Sequence, residues 1–555
     1  MITKLHSVTF LGISAIIVDV EIFIANGIPG IMIVGLPDAS TKEAKDRVKA
    51  AIKNSSFEYP ARKITINLAP ADIKKSGPIF DLPLALGILI SAKLLIPKIN
   101  IDDFIIAGEL SLNGNINKID GVIALSLLAK KLNKKIIIPY SNLNEVKYLG
   151  IEYYSFNTLA EVCNFISVIN KKHNLSTNNN GNILLSNEWQ NSEIISRQDL
   201  FYIENNSNSN ISTIINKDKI INNNDNNETI NKDNCYPDFS DIKGHTTVKR
   251  AMEIAVAGHH NILMIGSPGS GKTMIAQSAA GILPPLSLEE AIEITNIYSF
   301  SHKKINVRNG LITSRPFMPV HYSATIPALL GGGTNPVPGD VSLAHNGVLF
   351  IDEFSEMNRR TLDSLRQPME DKIINISRNR FLVSFPCDFM LIAAMNPCSC
   401  GYFGDQSHEC RCSGADIYKF YNKLSGPILD RFDIFAEVYS ESLNIISNNI
   451  PEESSKEVKK RINKATNIQN ERFKNTGKKF NVSIKSSEIK KFINISEETF
   501  NFYKSAAESL KLSSRGYFRI LKVARTISDI DGKNEVDKTS ILEALNYRNT
   551  KFLGV

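Results

Sequence analysis

The stretch that decides the fold runs from Asn261 to Thr273 and reads NILMIGSPGSGKT. The apolar run at 262–265 predicts a short buried strand, and the small residues at 274–281 predict a helix. Between them stands every fixed position of the phosphate-loop pattern G-x-x-x-x-G-K-[ST]. Its members are Gly266, Ser267, Pro268, Gly269, Ser270, Gly271, Lys272 and Thr273. The stretch therefore predicts a nucleoside triphosphate site at a strand-to-helix turn.

The residue types in this loop suit an anionic ligand. Glycines allow successive N–H groups to turn towards phosphate oxygens, and the helix N-terminus adds partial positive charge. Lys272 is predicted to contact the β- and γ-phosphates of ATP, and Thr273 to hold Mg²⁺. The alternative is a glycine-rich turn without a ligand. The correct flanks and the complete pattern favour nucleotide binding.

Two further apolar runs end in polar residues. Residues 347–353 read GVLFIDE, a strand that ends in Asp352 and Glu353. Asp352 is predicted to hold Mg²⁺ and Glu353 to polarise the attacking water. Residues 390–397 read MLIAAMNP, and Asn396 is predicted to lie near the γ-phosphate, because parallel strands end at one crevice. The alternatives are acids in a turn and an Asn-Pro pair that ends a strand.

Composition sets the outer limits. A chain of 555 residues is expected to form two to four domains, and 43% apolar content is ordinary for a globular protein. A net charge of +7 permits a nucleic-acid partner without requiring one. No apolar run is long enough to span a membrane, and the first residues, MITKLHSVTF, lack a signal-peptide pattern. We therefore expect a cytoplasmic protein without a membrane partner.

Alternating strand and helix patterns predict an α/β fold with four segments. Residues 1–168 are expected to form an α/β domain, with strands at 14–24, 63–68 and 135–138 and helices at 40–55 and 82–92. Residues 169–236 are asparagine-rich and predict a flexible linker. Residues 237–445 hold the nucleotide-binding module. Residues 446–555 predict a small helical domain, with helices at 454–473, 486–492, 497–510 and 516–530.

Four of the seven cysteines stand close together, as Cys398, Cys400, Cys410 and Cys412. Four thiolates satisfy tetrahedral zinc, which suggests a structural Zn²⁺ site away from the hydrolysis chemistry. The C-x-C spacing differs from the common C-x₂-C pairs, and His408 is an alternative ligand. The remaining alternative is a reduced loop that binds no metal.

Residues 372–385 predict a β-hairpin with Arg378, Asn379 and Arg380 near its tip. Basic residues at such a tip suit contact with a nucleic-acid backbone. A solvated turn explains the same pattern about equally well. DNA therefore remains a candidate partner of the nucleotide-binding module.

Three stretches carry a resemblance to the magnesium-chelatase-like branch of AAA+ ATPases. They are DIKGH at 241–245, GGG at 331–333 through PGDVSLAH at 338–345, and LRQPME at 365–370. Within that branch the chain resembles the YifB/ComM proteins over nearly its whole length outside the linker. The resemblance implies a homo-hexameric ATPase using ATP and Mg²⁺. ComM members are implied to be DNA helicases that drive branch migration in natural transformation.

The same resemblance implies two arginine roles. Residues 425–433, SGPILDRFD, resemble the AAA+ stretch that offers an arginine to the neighbouring subunit's nucleotide, with Arg431 in that position. Residues 513–517, SSRGY, resemble the sensor-2 stretch of the C-terminal helical lid, with Arg515 as the candidate. Arg519 and Arg525 are alternatives on the same helix. The alternative interpretation is that these arginines form only surface salt bridges.

The first domain resembles the Lon-protease-type domain at the front of this family. GELSLNG at 108–114 and IIIP at 136–139 carry the likeness to Lon. The positions that would supply a serine nucleophile and a lysine base are occupied by Ile79 and Ile123. Ser76 and Lys118 lie nearby in sequence but out of register. We therefore expect a non-proteolytic domain, which favours a DNA motor, with a chelatase-like protein-remodelling subunit and, less favoured, an ATP-dependent Lon-like protease as the alternatives.

Overall fold

The computed structural model describes residues 2–168, 236–301, 303, 310–333, 336–378, 381–405, 408–441 and 452–548. The predicted linker at 169–236 therefore lies, except for its last residue, outside the described residues. The chain divides into two compact units. Of the described residues, the first contains 2–168, 287–301, 303, 310–313 and 336–337, and the second contains 236–286, 314–333, 338–378, 381–405, 408–441 and 452–548.

The strands are numbered in chain order. They are β1 Ile2–Leu11, β2 Ser14–Ala25, β3 Gly30–Val34, β4 Lys63–Ala69, β5 Phe104–Ile106, β6 Glu109–Leu110, β7 Ile116–Asn117, β8 Lys135–Pro139, β9 Tyr153–Phe156, β10 Ile262–Gly266, β11 Phe317–Val320, β12 Gly331–Gly332, β13 Val337–Pro338, β14 Val348–Ile351, β15 Ile373–Arg378, β16 Phe381–Pro386, β17 Met390–Met395 and β18 Ile434–Val438.

The α-helices are numbered in the same way. They are α1 Ala39–Asn54, α2 Asp81–Ser91, α3 Val122–Leu132, α4 Leu143–Val146, α5 Leu159–Val168, α6 Thr246–Gly258, α7 Lys272–Ile282, α8 Leu288–Ser299, α9 Ile326–Leu330, α10 Asp340–Leu343, α11 Arg359–Ser364, α12 Arg366–Asp371, α13 Gly414–Asn422, α14 Gly426–Leu429, α15 Ser455–Arg472, α16 Ile489–Phe492, α17 Glu497–Ser509, α18 Ser514–Ile530 and α19 Lys538–Asn546.

The first unit is built on a seven-stranded sheet in the order β3-β4-β2-β1-β5-β8-β9. Helix α2 is apolar nearly all round and is buried from Asp81 to Leu89. Arg47 of α1 forms a bidentate pair with the buried Asp81, at 2.8 and 3.1 Å, which compensates the carboxylate for its loss of water. Helix α8 belongs to this unit, where Phe300 just after it packs edge-on against Phe10.

The second unit is built on a five-stranded parallel sheet in the order β11-β14-β17-β10-β18. Strands β10, β14 and β17 are buried at every position, as expected for parallel strands covered on both faces. The predicted α/β class is therefore confirmed. Because the strands are parallel and in register, the residues after β10, β14 and β17 meet at one edge.

Helices α15 to α19 follow this sheet and pack into its core cluster through apolar residues such as Ile462, Tyr503 and Ile520. Three of the expected helices correspond to α15, α17 and α18. The fourth, at 486–492, begins as a 3₁₀ turn over Ser486–Glu488 and becomes helical only at α16. Within the described part of the chain, no helix is both long and apolar enough to cross a membrane.

Candidate nucleotide-binding site

The phosphate loop joins the carboxyl end of β10 to the start of α7. Gly269 and Gly271 adopt φ values of +77° and +86°, which glycine reaches without steric cost. Gly271 is the N-cap of α7, and no side chain caps the helix there. The N–H groups of the first turn of α7 are therefore available to an anion.

Lys272 is held inside the loop. Its ammonium donates to the carbonyl oxygens of Gly266 and Ser267, both at 2.8 Å, and to Oδ1 of Asn396 at 3.3 Å. Burial lowers the pKa of Lys272, and the nearby Asp352 opposes that shift. The structure thus brings the loop lysine together with Asn396, the residue predicted to lie near the γ-phosphate.

The predicted magnesium ligands are also brought together. Thr273 Oγ1 donates to Oδ2 of Asp352 over 2.6 Å, and the other carboxylate oxygen accepts the N–H of Glu353 at 2.8 Å. A hydroxyl and a carboxylate are the oxygen donors that Mg²⁺ prefers. Glu353 itself is exposed and has φ +50°, a left-handed conformation that costs a non-glycine residue about 1–3 kcal/mol.

These residues fit ATP with Mg²⁺. The donors for the phosphates are the uncapped helix terminus and the Lys272 ammonium. Within the described residues, the buried Ser270 hydroxyl has no hydrogen-bond partner, so the loop retains an unsatisfied polar atom. When bound, Mg²⁺ supplies charge neutralisation at the transferred phosphoryl group.

Arg431 lies at the opposite edge of the same sheet. Its main-chain carbonyl accepts from Asn261, which directly precedes β10, whereas the phosphate loop follows β10. Five residues of strand separate the two edges by about 16 Å. The Arg431 guanidinium is mostly buried, donates to the carbonyl oxygens of Arg366 and Pro427, and pairs with Glu370 at 2.7 Å.

The structure separates the three arginines of α18. Arg525 is buried and pairs with Asp529 at 2.6 Å, and Arg519 pairs with the buried Asp433 at 3.0 Å. Arg515 has a side chain that is 57% exposed and lies 3.8 Å from Glu370, the carboxylate that also binds Arg431. The two arginines implied by the family resemblance therefore share one acidic partner at the edge away from the phosphate loop.

The four clustered cysteines converge. Cys398, Cys400 and Cys410 have Sγ–Sγ distances of 3.3, 3.7 and 3.5 Å, and the four ligand atoms, including that of Cys412, lie within 4.8 Å of one another. The alternative ligand His408 instead stacks on Tyr402. A hydrogen bond from the Tyr402 backbone lowers the pKa of Cys400 to about 6, whereas desolvation raises that of Cys410 to about 12.

The expectation that this cluster is remote from the hydrolysis site is wrong. Cys398 follows Asn396 by two residues, and Gly401 packs against Pro268 of the phosphate loop. A methyl group on Gly401 would come within 2.7 Å of the Pro268 ring. The sequence concealed this contact because Pro268 and Gly401 lie far apart along the chain.

His245 is a residue beside the loop to which sequence reasoning assigned no role. A methyl group on Gly271 would lie 3.7 Å from its Nε2, and its N–H donates to Glu441 at 2.7 Å. Burial lowers the pKa of His245, which favours the neutral ring. The DIKGH stretch carried the family likeness, but a single histidine there does not indicate its neighbours.

Two other features predicted from the sequence are the β-hairpin at 372–385 and the absence of a protease dyad in the first domain. The hairpin is present as β15 and β16, which pair from Ile373↔Pro386 to Arg378↔Phe381. Its tip residues Asn379 and Arg380 lie outside the described residues, as does the Arg378 side chain. In the first unit, Ile79 and Ile123 are buried and apolar, and Lys118 pairs with Glu145 at 2.7 Å.

Three regions of the chain match families of the magnesium chelatase subunit ChlI. Residues 238–445 match the family described as magnesium chelatase, subunit ChlI. Residues 20–142 match subunit ChlI of Mg-chelatase, and residues 452–548 match the magnesium chelatase subunit ChlI C-terminal family.

The chain is also similar to full-length relatives. It is 38% identical to the competence protein ComM of Haemophilus influenzae and 38% identical to YifB of Escherichia coli. Each alignment covers 98% of this chain and 96% of the relative. A shorter likeness, 26% identity over 36% of this chain and 20% of the relative, links it to the DNA replication licensing factor Mcm2 of Drosophila melanogaster.

Proposed function

Because the chain belongs to the YifB/ComM family of magnesium-chelatase-like proteins, we propose that it is an ATP-hydrolysing AAA+ ring motor that acts on DNA. One observation carries the hydrolysis part of the proposal. At the carboxyl edge of a parallel sheet, Lys272 contacts Asn396 and Thr273 contacts Asp352. A loop cation, two oxygen ligands for Mg²⁺ and a strand-end amide suit phosphoryl transfer from ATP to water.

Each side chain has one role in this proposal. Lys272 binds the β- and γ-phosphates of ATP, and Thr273 and Asp352 hold Mg²⁺. Glu353 accepts the proton of the attacking water, and its exposed position leaves the carboxylate accessible to that water. Asn396, which contacts Lys272, orients the attacking water near the γ-phosphate.

The proposal includes a ring, which we take to be a homo-hexamer. Arg431 lies about one strand length from its own phosphate loop, too far to contact a nucleotide bound there. Arg431 and Arg515 share Glu370, so the exposed Arg515 marks the surface beneath which the mostly buried Arg431 lies. A neighbouring subunit that docks on this surface would place its nucleotide against them, as arginine fingers require.

DNA is the proposed substrate of the motor. One relative is named a competence protein and another a DNA replication licensing factor, which supports nucleic acid over a protein substrate. The net charge of +7 is compatible with a polyanion. We propose that the β15–β16 hairpin contacts the backbone of branched or single-stranded DNA, and that the protein works in the cytoplasm, where ATP and DNA are both present.

The flanking regions have supporting roles. We propose that residues 1–168 form a Lon-protease-like domain without proteolytic activity, because buried Ile79 and Ile123 offer neither a nucleophile nor a base. Residues 446–555 act as a helical lid on the nucleotide-binding module at 237–445. A structural zinc at the four cysteines completes the proposed cofactors, with ATP and Mg²⁺.

The deciding experiment is ATP-dependent strand displacement on a synthetic three-stranded DNA junction. We expect the protein with Mg²⁺ and ATP to move the junction, and the Glu353→Gln variant to bind ATP and DNA without moving it. Strand movement that persists in Glu353→Gln would contradict the assigned chemistry. ATP hydrolysis that DNA does not stimulate, with no junction movement, would favour the protein-remodelling function instead.

The hairpin has its own test within this experiment. The Arg378→Ala/Arg380→Ala double variant is expected to hydrolyse ATP at the basal rate and to lose most of the stimulation by DNA. The matched control is Lys419→Ala/Lys423→Ala, which removes two positive charges from and beside α13. Equal loss of stimulation in both double variants would assign the effect to net charge and not to the hairpin.

A further inference from the structure

The four cysteines have the spacing of a metal site and not of disulfides. Zinc bound to thiolates at about 2.3 Å places neighbouring sulfurs about 3.8 Å apart, whereas a disulfide requires about 2.05 Å. The Sγ–Sγ distances among Cys398, Cys400 and Cys410 are 3.3, 3.7 and 3.5 Å. The space between these sulfurs has the size that one tetrahedrally coordinated cation needs.

The segment that carries them is a long irregular connection. We define the tetracysteine loop as residues 398–405 together with 408–412. Between the end of β17 and the start of α13, the described residues form no helix or strand. A loop of this length without regular structure is uncommon in a compact domain unless something holds it together. A metal cross-link between its two ends supplies that constraint.

The tetracysteine loop also forms part of the surroundings of the phosphate loop. Buried Gly401 adopts φ +88° and sits against the Pro268 ring, so that any side chain there would collide with it. Phe403, Gly404 and Asp405 line one pocket together with Ser267. Ser267 in turn offers its carbonyl oxygen to Lys272.

We propose that the tetracysteine loop is a Zn²⁺ site whose occupancy sets the nucleotide affinity of the adjacent phosphate loop. Zinc binds the four sulfurs as thiolates, and each bound thiol releases its proton to solvent. The bound ion fixes Gly401 against Pro268 and fixes the chain that emerges from Asn396. The inference rests on the proposed function because it concerns the same nucleotide site.

The proposal requires a reciprocal effect. Coupled sites typically change each other's affinity by about 5- to 150-fold, and thermodynamic linkage makes the two changes equal. Removing zinc should therefore weaken ATP binding, and bound ATP should strengthen zinc binding by the same factor. The second effect is measured as the free-zinc concentration at which half of the protein has zinc bound. This measurement does not depend on ATP hydrolysis.

The experiment uses the full chain purified under reducing conditions. Metal analysis is expected to give about one zinc per chain. The Cys400→Ser/Cys410→Ser double variant should lose zinc and bind a non-hydrolysable ATP analogue at least about fivefold more weakly. The matched control is Glu409→Gln, an exposed residue in the same loop, which should retain both zinc and affinity.

Gly401→Ala separates coupling from misfolding, because it keeps all four cysteines and alters the contact with Pro268. We expect zinc to be retained and the affinity for the ATP analogue to fall. Affinity unchanged within twofold in zinc-free protein would overturn the coupling. Protein that purifies without zinc, or with the visible absorption of iron, would overturn the metal assignment. Zinc-loaded protein that binds no ATP would instead refute the proposed function.

Discussion

The ammonium of Lys272 lies 3.3 Å from the amide oxygen of Asn396, which joins the phosphate loop to the end of a second strand. The contact exists because β10 and β17 are adjacent and parallel, with Met264 opposite Ala394. A γ-phosphate would compete for the same ammonium. Asn396 is therefore placed to respond to whether ATP or ADP occupies the site.

We expect Asn396→Ala to lower kcat for ATP hydrolysis by about 10²-fold while changing KM by less than about threefold, because it removes a group that orients the water. Steady-state kinetics check this. Asn422→Ala, at the exposed end of α13, is the control and should behave as the unaltered protein. A change confined to KM would assign Asn396 to ground-state binding.

Glu353 combines a proposed catalytic carboxylate with a left-handed backbone at φ +50°. Glu353→Gln should retain ATP binding and lower hydrolysis by about 10²- to 10⁴-fold. Glu353→Gly should be equally inactive but more stable than Glu353→Gln by about 1 kcal/mol, because glycine adopts this conformation without strain. Urea unfolding of the two variants decides the comparison. Lower stability of the glycine variant would show that the backbone there stores no strain.

Arg431 and Lys272 should complement each other between subunits. Arg431→Ala and Lys272→Ala are each expected to lose ATP hydrolysis, the first with ATP binding retained and the second without it. An equimolar mixture should recover activity, because some interfaces then combine an intact phosphate loop with an intact Arg431 from the neighbour. Hydrolysis assays on mixed variants measure this. If rings that demonstrably exchange subunits recover no activity, Arg431 has a structural role within its own chain and does not act on the neighbour's nucleotide.

The buried carboxylate of Asp433 should make the stability of the second unit depend on pH under acidic conditions. It is buried, and although burial raises its pKa, Arg519 and His260 together hold the pKa well below the ordinary value of 3.8. Its contribution to stability is therefore present above about pH 4 and is lost as the pH falls through the lowered pKa. Asp433→Asn should lower the free energy of unfolding at pH 7 by about 3–5 kcal/mol.

The pH dependence of stability distinguishes an effect of the Asp433 charge from an effect of its shape. The difference between the unaltered protein and Asp433→Asn should shrink as the pH falls below about 4, because the unfolded state then binds a proton at Asp433 that the folded state, with its lowered pKa, does not bind. Thermal unfolding between pH 3 and pH 7 measures it. A constant difference across that range would mean that Asp433 stabilises through shape and not through charge.

The sequence by itself determined the phosphate loop, the strands that end beside it and the resemblance to the family. Local signals suffice for these features: the phosphate loop pattern at 266–273 is contiguous, and the runs at 347–353 and 390–397 each consist of one buried strand with its polar end. The helices at 454–473 and 516–530 were predictable because their apolar residues recur with helical spacing.

Only the tertiary structure decided which distant residues meet. Gly401 packing on Pro268, Arg515 sharing Glu370 with Arg431, and His245 beside Gly271 each join segments that the chain order does not relate. These contacts follow from the order of the parallel strands, which sets what lies at each edge of the sheet. Sequence patterns record the local preference of a segment, whereas contacts between segments depend on how the buried faces pack together.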